Sequence, residues 1–112
     1  MEGLEEISFE IISHSGQAKA EIMEAVSRSR SGNEDPQPLL DSAKEELKQA
    51  QNSHLKALSD FAKTGDSKID PLYMHAEDQM ITAESFLDFA TELIKTNLEL
   101  AKLKQELQNQ SN

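Results

Sequence analysis

Apolar residues recur along this chain at steps of three and four, the period of a helix with one buried face. Leu4, Ile7, Ile11, Ala18, Ile22 and Ala25 make the first such stripe, widened by Ile12, Met23 and Val26. This predicts a helix over about 4–30. Gly16 falls in its middle, at a cost of roughly 1 kcal/mol relative to alanine. It is either tolerated there or marks the close approach of a neighbour. Residues 31–38, SGNEDPQP, gather glycine, asparagine, aspartate and two prolines and end the pattern. A second stripe follows in Leu40, Ala43, Leu47, Ala50, His54, Leu58 and Phe61, predicting a helix over about 38–62. It stops at residues 63–70, KTGDSKID, where Gly65 suits the position just past a helix end.

The third pattern starts at Pro71 and continues to about Gln108, roughly 57 Å of helix at 1.5 Å per residue. Asp70 is placed to cap it, and Pro71 to occupy the first turn, where a missing N–H costs nothing. The tail QNQSN is expected to fray. This helix carries two apolar stripes, about 120° apart at 100° per residue. One is Met80, Ala83, Leu87, Ala90, Ile94, Leu98 and Ala101; the other is Phe86, Phe89, Leu93, Leu100, Leu103 and Leu107. Two shorter neighbours cover one stripe. The second needs another surface, and its sustained spacing points to helix association between chains. Three helices joined by two short connections form an all-α, antiparallel bundle.

Composition narrows the possible functions. The 112 residues suit one domain with a small core. Without cysteine there is no disulfide frame, no thiol nucleophile and no Cys-ligated zinc. The acidic start MEGLEEISFE lacks the basic region of a signal peptide, and no apolar run approaches the length of a membrane span. The expected compartment is the cytoplasm, with no direct membrane insertion. Eleven basic residues against twenty-one acidic ones give a net charge of −10. Such a chain repels nucleic acid and anionic lipid, both of which need lysine and arginine to replace counterions.

The candidate chemistry lies near the start of the third helix. His75, one of three histidines, has Asp78, Gln79 and Thr82 on its face, three, four and seven residues further on. His75, Asp78 and Thr82 continue the unpartnered stripe, so a site here falls at an interface between chains, where Asp78 can approach its own copies. A histidine and a carboxylate on one rigid face suit proton, metal or phosphoryl chemistry. The spacing alone fits a solvated helix surface equally well. His14 and His54 sit on apolar stripes and read as packed, hydrogen-bonded side chains. Glu77 is expected to point sideways into solvent. Glu2, Glu5, Glu6 and Glu10 suit the N-terminal end of a helix dipole.

Two segments carry a resemblance. Residues 11–26, IISHSGQAKAEIMEAV, are similar to the first-helix signature of the enzyme IIA component of the lactose/cellobiose (chitobiose) class of the phosphoenolpyruvate-dependent sugar phosphotransferase system. That signature is an aliphatic pair followed by S/A-G-x-A-R/K. Residues 73–84, YMHAEDQMITAE, resemble the same family's M-H-x-Q-D-H-x-M-T signature. Helix order, lengths and both breaks also match, so the resemblance covers nearly the whole chain.

The resemblance implies a homotrimer assembled through the long third helix. In it His75 accepts phosphate from the phosphocarrier HPr and passes it to a cysteine of the IIB component, serving a membrane IIC permease indirectly. It also implies that three copies of Asp78 meet on the trimer axis around a metal ion, Mg²⁺. Close carboxylates repel unless a cation or protons intervene, and a hard, oxygen-ligated cation suits them. The chain departs from the pattern at three places. Gln79 stands where the family has a second histidine, Glu77 where it has glutamine, and Gln51 where its second helix has histidine, with His54 three residues later. Gln79 can hydrogen-bond a phosphoryl oxygen but carries no proton or positive charge. Lysine and arginine are absent from residues 73–85, so charge stabilisation must come from another helix, a partner or a helix terminus. Three alternatives stand beside this reading. They are a divergent regulatory paralogue that does not transfer phosphate, a plain trimeric scaffold, and a two-component histidine phosphotransfer domain, which usually has lysine and a small residue after its histidine.

Overall fold

The computed structural model describes residues 3–66 and 69–111 of the chain. Among these the structure is three helices and no strand: α1 Leu4–Ser31, α2 Gln37–Thr64 and α3 Pro71–Ser111. The expected positions of Glu2, Ser67 and Lys68 lie outside the described residues. α3 runs on to Ser111, past the expected end near Gln108. Asp70 caps α3 as its chemistry requires, its Oδ1 accepting from the Tyr73 N–H at 3.0 Å.

α1 packs along both α2 and α3, while α2 and α3 meet far less. That central position explains why α1 buries more than a single stripe. Ile11, Ala18, Ile22 and Ala25 are fully buried, and so are Ser8, Ser15 and Ser29. Ser8 and Ser29 donate to carbonyls of their own helix, at Leu4 (2.8 Å) and Val26 (2.7 Å). A serine satisfied in this way buries little volume and lets a neighbouring helix come close. Hydrophobic spacing alone passes over such positions. Conversely, Met23 is 56% exposed and Leu58 44% exposed, although both lie within the apolar stripes of the sequence. Gly16 is exposed, and a Cβ built there meets nothing within 4 Å among the described residues, so none of these accounts for it.

Polar cross-links fix the registers. On α1 and α2, Glu10 accepts from Ser53 and Glu46 meets His14, so advancing along α1 means moving back along α2. Between α1 and α3, Lys19 meets Gln79 and Ser29 meets Asn97, so these two helices advance together.

Glycines close the first two helices in the left-handed region, Gly32 at φ 69° and Gly65 at φ 68°. Their surroundings differ. A Cβ on Gly32 would lie 2.8 Å from the Ala101 Cβ, whereas one on Gly65 would meet nothing within 4 Å among the described residues. Gly65→Ala is therefore expected to cost about 1 kcal/mol, from backbone strain alone. Gly32→Ala adds a clash with α3 and should cost about 2–3 kcal/mol. Denaturant unfolding of the two variants side by side measures the difference.

α3 is longer than its neighbours, 41 residues against 28 in each. Its last ten described residues, 102–111, are all exposed. Of the stripe left without cover, Phe86 packs partly against the core, while Phe89 is 78% exposed. Leu93, Leu100, Leu103 and Leu107 are also exposed, as are Met74 and Ile81 nearer the start. Leu98, from the inward stripe, is exposed as well. Among the described residues, no helix is long and apolar enough to cross a membrane.

Candidate functional site

The first turns of α3 are anchored from beneath. Asp70 caps the helix, and Tyr73, three residues on, turns its ring into the core. There it stacks on His54 of α2, with centroids 6.0 Å apart and planes within 8°, and meets Phe61 edge-on at 5.5 Å. His75 and Asp78 project from the opposite side of these turns, and both are exposed. At 100° per residue, Asp78 lies midway between Met74 and Thr82 and in line with Ser85, Phe89 and Thr96. It is a carboxylate set into the uncovered apolar face of α3.

The Tyr73 hydroxyl is buried and has no hydrogen-bond partner among the described residues. Burial, and secondarily the negative Glu77 nearby, push its pKa from 10.0 up to about 12. The sign for stability follows directly. Above pH 10 the unfolded chain loses the phenol proton while the folded chain keeps it, so the folded state binds more protons and stability falls as pH rises towards 12. Below 10 the contribution is fully present. Tyr73 is the sole tyrosine and there is no tryptophan, so tyrosinate absorbance reports this group alone. The titration is expected near pH 12 in the folded protein, and Tyr73→Phe should flatten the decline of Tm between pH 10 and 12.

The other two histidines are tied down, as their apolar surroundings require. His14 Nδ1 lies 2.6 Å from Glu46 Oε2, and His54 Nε2 lies 2.9 Å from Glu77 Oε2. His75 has no such partner among the described residues, which leaves its ring open to solvent. Glu77 is not the solvated side chain expected, because its carboxylate is held by His54 on α2. Each departure from the resembled pattern has a partner on another helix. Glu77 pairs with His54, Gln51 donates to Glu84 at 2.8 Å, and Gln79 accepts from Lys19 at 2.8 Å.

Lys19 was not among the candidates drawn from the sequence. Ser13, Ser15 and Gln17 flank Gly16 on the same helix. In the structure Ser13 and Gln17 are exposed and Ser15 is buried, while Lys19 reaches α3. The available signal was the R/K that ends the first-helix signature. Among the described residues, no three His, Asp or Glu side chains of one chain gather into a metal site. Within one chain, Asp78 could therefore supply the implied Mg²⁺ with one ligand at most.

These features agree with what the chain is similar to. The sequence profile for "PTS system, Lactose/Cellobiose specific IIA subunit" matches residues 6–97. The lichenan-specific phosphotransferase enzyme IIA component of Bacillus subtilis (strain 168) is 32% identical over 95 residues, 84% of this chain and 86% of that protein. The oligo-beta-mannoside-specific EIIA component of the same organism is 31% identical over 101 residues, 89% of this chain and 88% of that protein. No solved structure gives a significant match. With most of the chain matched and all three helices in the expected order, this protein belongs to the lactose/cellobiose-specific IIA family of the sugar phosphotransferase system.

Proposed function

We propose that this protein carries phosphate from HPr to a IIB component in the cytoplasm, with His75 as the residue phosphorylated. The observation that carries the proposal is the contrast among the three histidines. His14 and His54 are each held by a carboxylate, while His75 is exposed near the start of a capped helix. A neutral ring nitrogen of His75 attacks the phosphorus of HPr's phosphohistidine. The new N–P bond forms as the old one breaks, and the electron pair leaves with the HPr imidazole, which takes up a proton. Transfer onward reverses these roles, with a IIB cysteine as the acceptor. The transition state is loose, so positioning and electrostatics supply the catalysis. The Asp70 cap and the Tyr73 stack hold the first turns of α3 in place, and with them the His75 backbone.

Three chains pack as antiparallel bundles around the exposed stripe of α3, as its uncovered phenylalanine and leucines favour. Asp78 then faces its two copies. A Mg²⁺ held by the three carboxylates would cancel their mutual repulsion. The sugar is a β-linked oligosaccharide, following the lichenan and oligo-beta-mannoside named for the two relatives. The carrier itself does not contact it. The test is incubation with phosphoenolpyruvate, enzyme I and HPr, followed by assay for an acid-labile, alkali-stable phosphate. Wild-type protein should become labelled and lose the label on adding IIB. Absence of label, with a working IIA control in the same tube, would overturn the proposal and favour a regulatory paralogue.

A further inference from the structure

Among the described residues Lys19, like most lysines of the chain, pairs with no carboxylate, and what distinguishes it is a partner on another helix. Arg28 pairs with Glu24 and Glu34, and Lys95 with Glu92. Lys19 instead spends one N–H on the neutral Oε1 of Gln79, at 2.8 Å, and no acidic oxygen lies within ion-pair distance of it among the described residues. Its ammonium therefore sits at a partly buried position with no ion-pair partner among the described residues.

The contact also orients Gln79. Lysine only donates, so the amide oxygen faces Nζ and the amide NH₂ faces away. Gln79 is four residues after His75 on one helix face, about 5–6 Å away between Cβ atoms. Side chains on a helix lean towards its N-terminus, which carries the Gln79 amide towards His75. The surface beside Lys19 is open. Gly16, three residues earlier on α1, is exposed and has no neighbour among the described residues within 4 Å of where a Cβ would stand.

Resting on the assignment of His75 as the phosphorylated residue, we propose that Lys19 and Gln79 form a relay holding the phosphoryl group. The Gln79 NH₂ donates to a phosphoryl oxygen, and Lys19, through the amide oxygen, fixes and polarises that donor while adding positive charge nearby. No proton is transferred in this role. Lys19 stays an ammonium and Gln79 a neutral amide, while the phosphoryl group moves between nitrogens as written above. The pair supplies from α1 the cation that residues 73–85 lack. Lys19 is a positioning residue, since it acts through Gln79.

The experiment is single-turnover transfer from phosphorylated HPr to wild type, Lys19→Met, Lys19→Arg, Gln79→Leu and the Lys19→Met, Gln79→Leu double variant. Alongside it run the hydrolysis rate of each phosphorylated protein, its phosphorus NMR shift and its Tm. The expected result is slower transfer by on the order of 10- to 100-fold for Lys19→Met and Gln79→Leu. The phosphorus shift should move, Lys19→Arg should recover most of the rate, and the double variant should be scarcely slower than either single one. Transfer at the wild-type rate in both variants overturns the relay while leaving His75 as the acceptor. Slowing that follows a fall in Tm, with unchanged phosphorus shift and hydrolysis, overturns it too, because the contact is then merely structural. Should Lys19→Met fail to fold, Gln79→Leu, which leaves the α1 lysine in place, decides by the same readouts. No labelling of the wild type at all refutes the carrier reading itself, and is thereby distinguished from failure of the relay.

Discussion

His75→Ala should leave the protein folded and unable to take up phosphate, with the rate of labelling falling more than about 10³-fold, to background. Loss on this scale is expected because, under the proposed transfer, the substitution removes the atom that would form the N–P bond. The chain has no cysteine to act as a substitute acceptor. His14 and His54 each lie hydrogen-bonded to a carboxylate, at 2.6 and 2.9 Å, and are partly buried between helices. One ring nitrogen of each is engaged, Nδ1 of His14 and Nε2 of His54, and each ring is held against a neighbouring helix by its carboxylate. His54→Ala is the informative contrast. It strips Glu77 of its partner and Tyr73 of its stacked ring, and should lower stability by about 1–2 kcal/mol without abolishing labelling. Radiolabelled phosphoenolpyruvate with enzyme I and HPr, followed by alkaline gel electrophoresis, separates these outcomes. Label on His75→Ala would send the search for the acceptor elsewhere.

The second large effect concerns assembly. A Phe89→Asp, Leu100→Asp double variant should sediment as a monomer at concentrations where the wild type is expected to form the proposed trimer. In the single chain Phe89 is 78% and Leu100 48% exposed, so neither contributes much to the monomer's core. Burying an apolar side chain of this size is worth about 1.5–3 kcal/mol, and the loss is repeated in every chain. An aspartate in the same place adds an unpaired buried charge, so the dissociation constant should rise by well over about 10³-fold. The monomer's helicity should be retained, apart from the projecting end of α3 beyond Ala101. A helix of that length has little stability of its own. Wild-type assembly should also tighten with salt, since each chain carries −10 and the copies repel. Equilibrium sedimentation of both proteins at low and high salt tests each point. A monomeric wild type would overturn the proposed three-carboxylate site at Asp78 and with it the proposed metal.

Much of the fold was legible along the chain because helix signals are local. The three- and four-residue spacing, the SGNEDPQP break, the Gly65 end and the Asp70 cap each depend on neighbours a few residues away, and each is where the pattern puts it. The same holds for the second stripe of α3, where the excess of apolar surface over available cover can be read from helix lengths alone. His75 and Asp78 were legible as a pair on one face, for the same reason.

What the tertiary structure decided was which helix faces which, and hence the partner of every polar side chain. Burial of Ser8, Ser15 and Ser29, with exposure of Met23 and Leu58, follows from α1 lying between two neighbours, which no hydrophobicity pattern on α1 itself records. The substitutions at Glu77 and Gln79 look like isolated losses in the sequence. In the fold they are met by His54 and Lys19, 23 and 60 residues away. Such pairs depend on the rotation and register of whole helices against one another, set by the sum of core contacts. The local sequence therefore determined the helices and the exposed histidine, and only packing determined that a lysine of α1 stands beside the residue four positions after it.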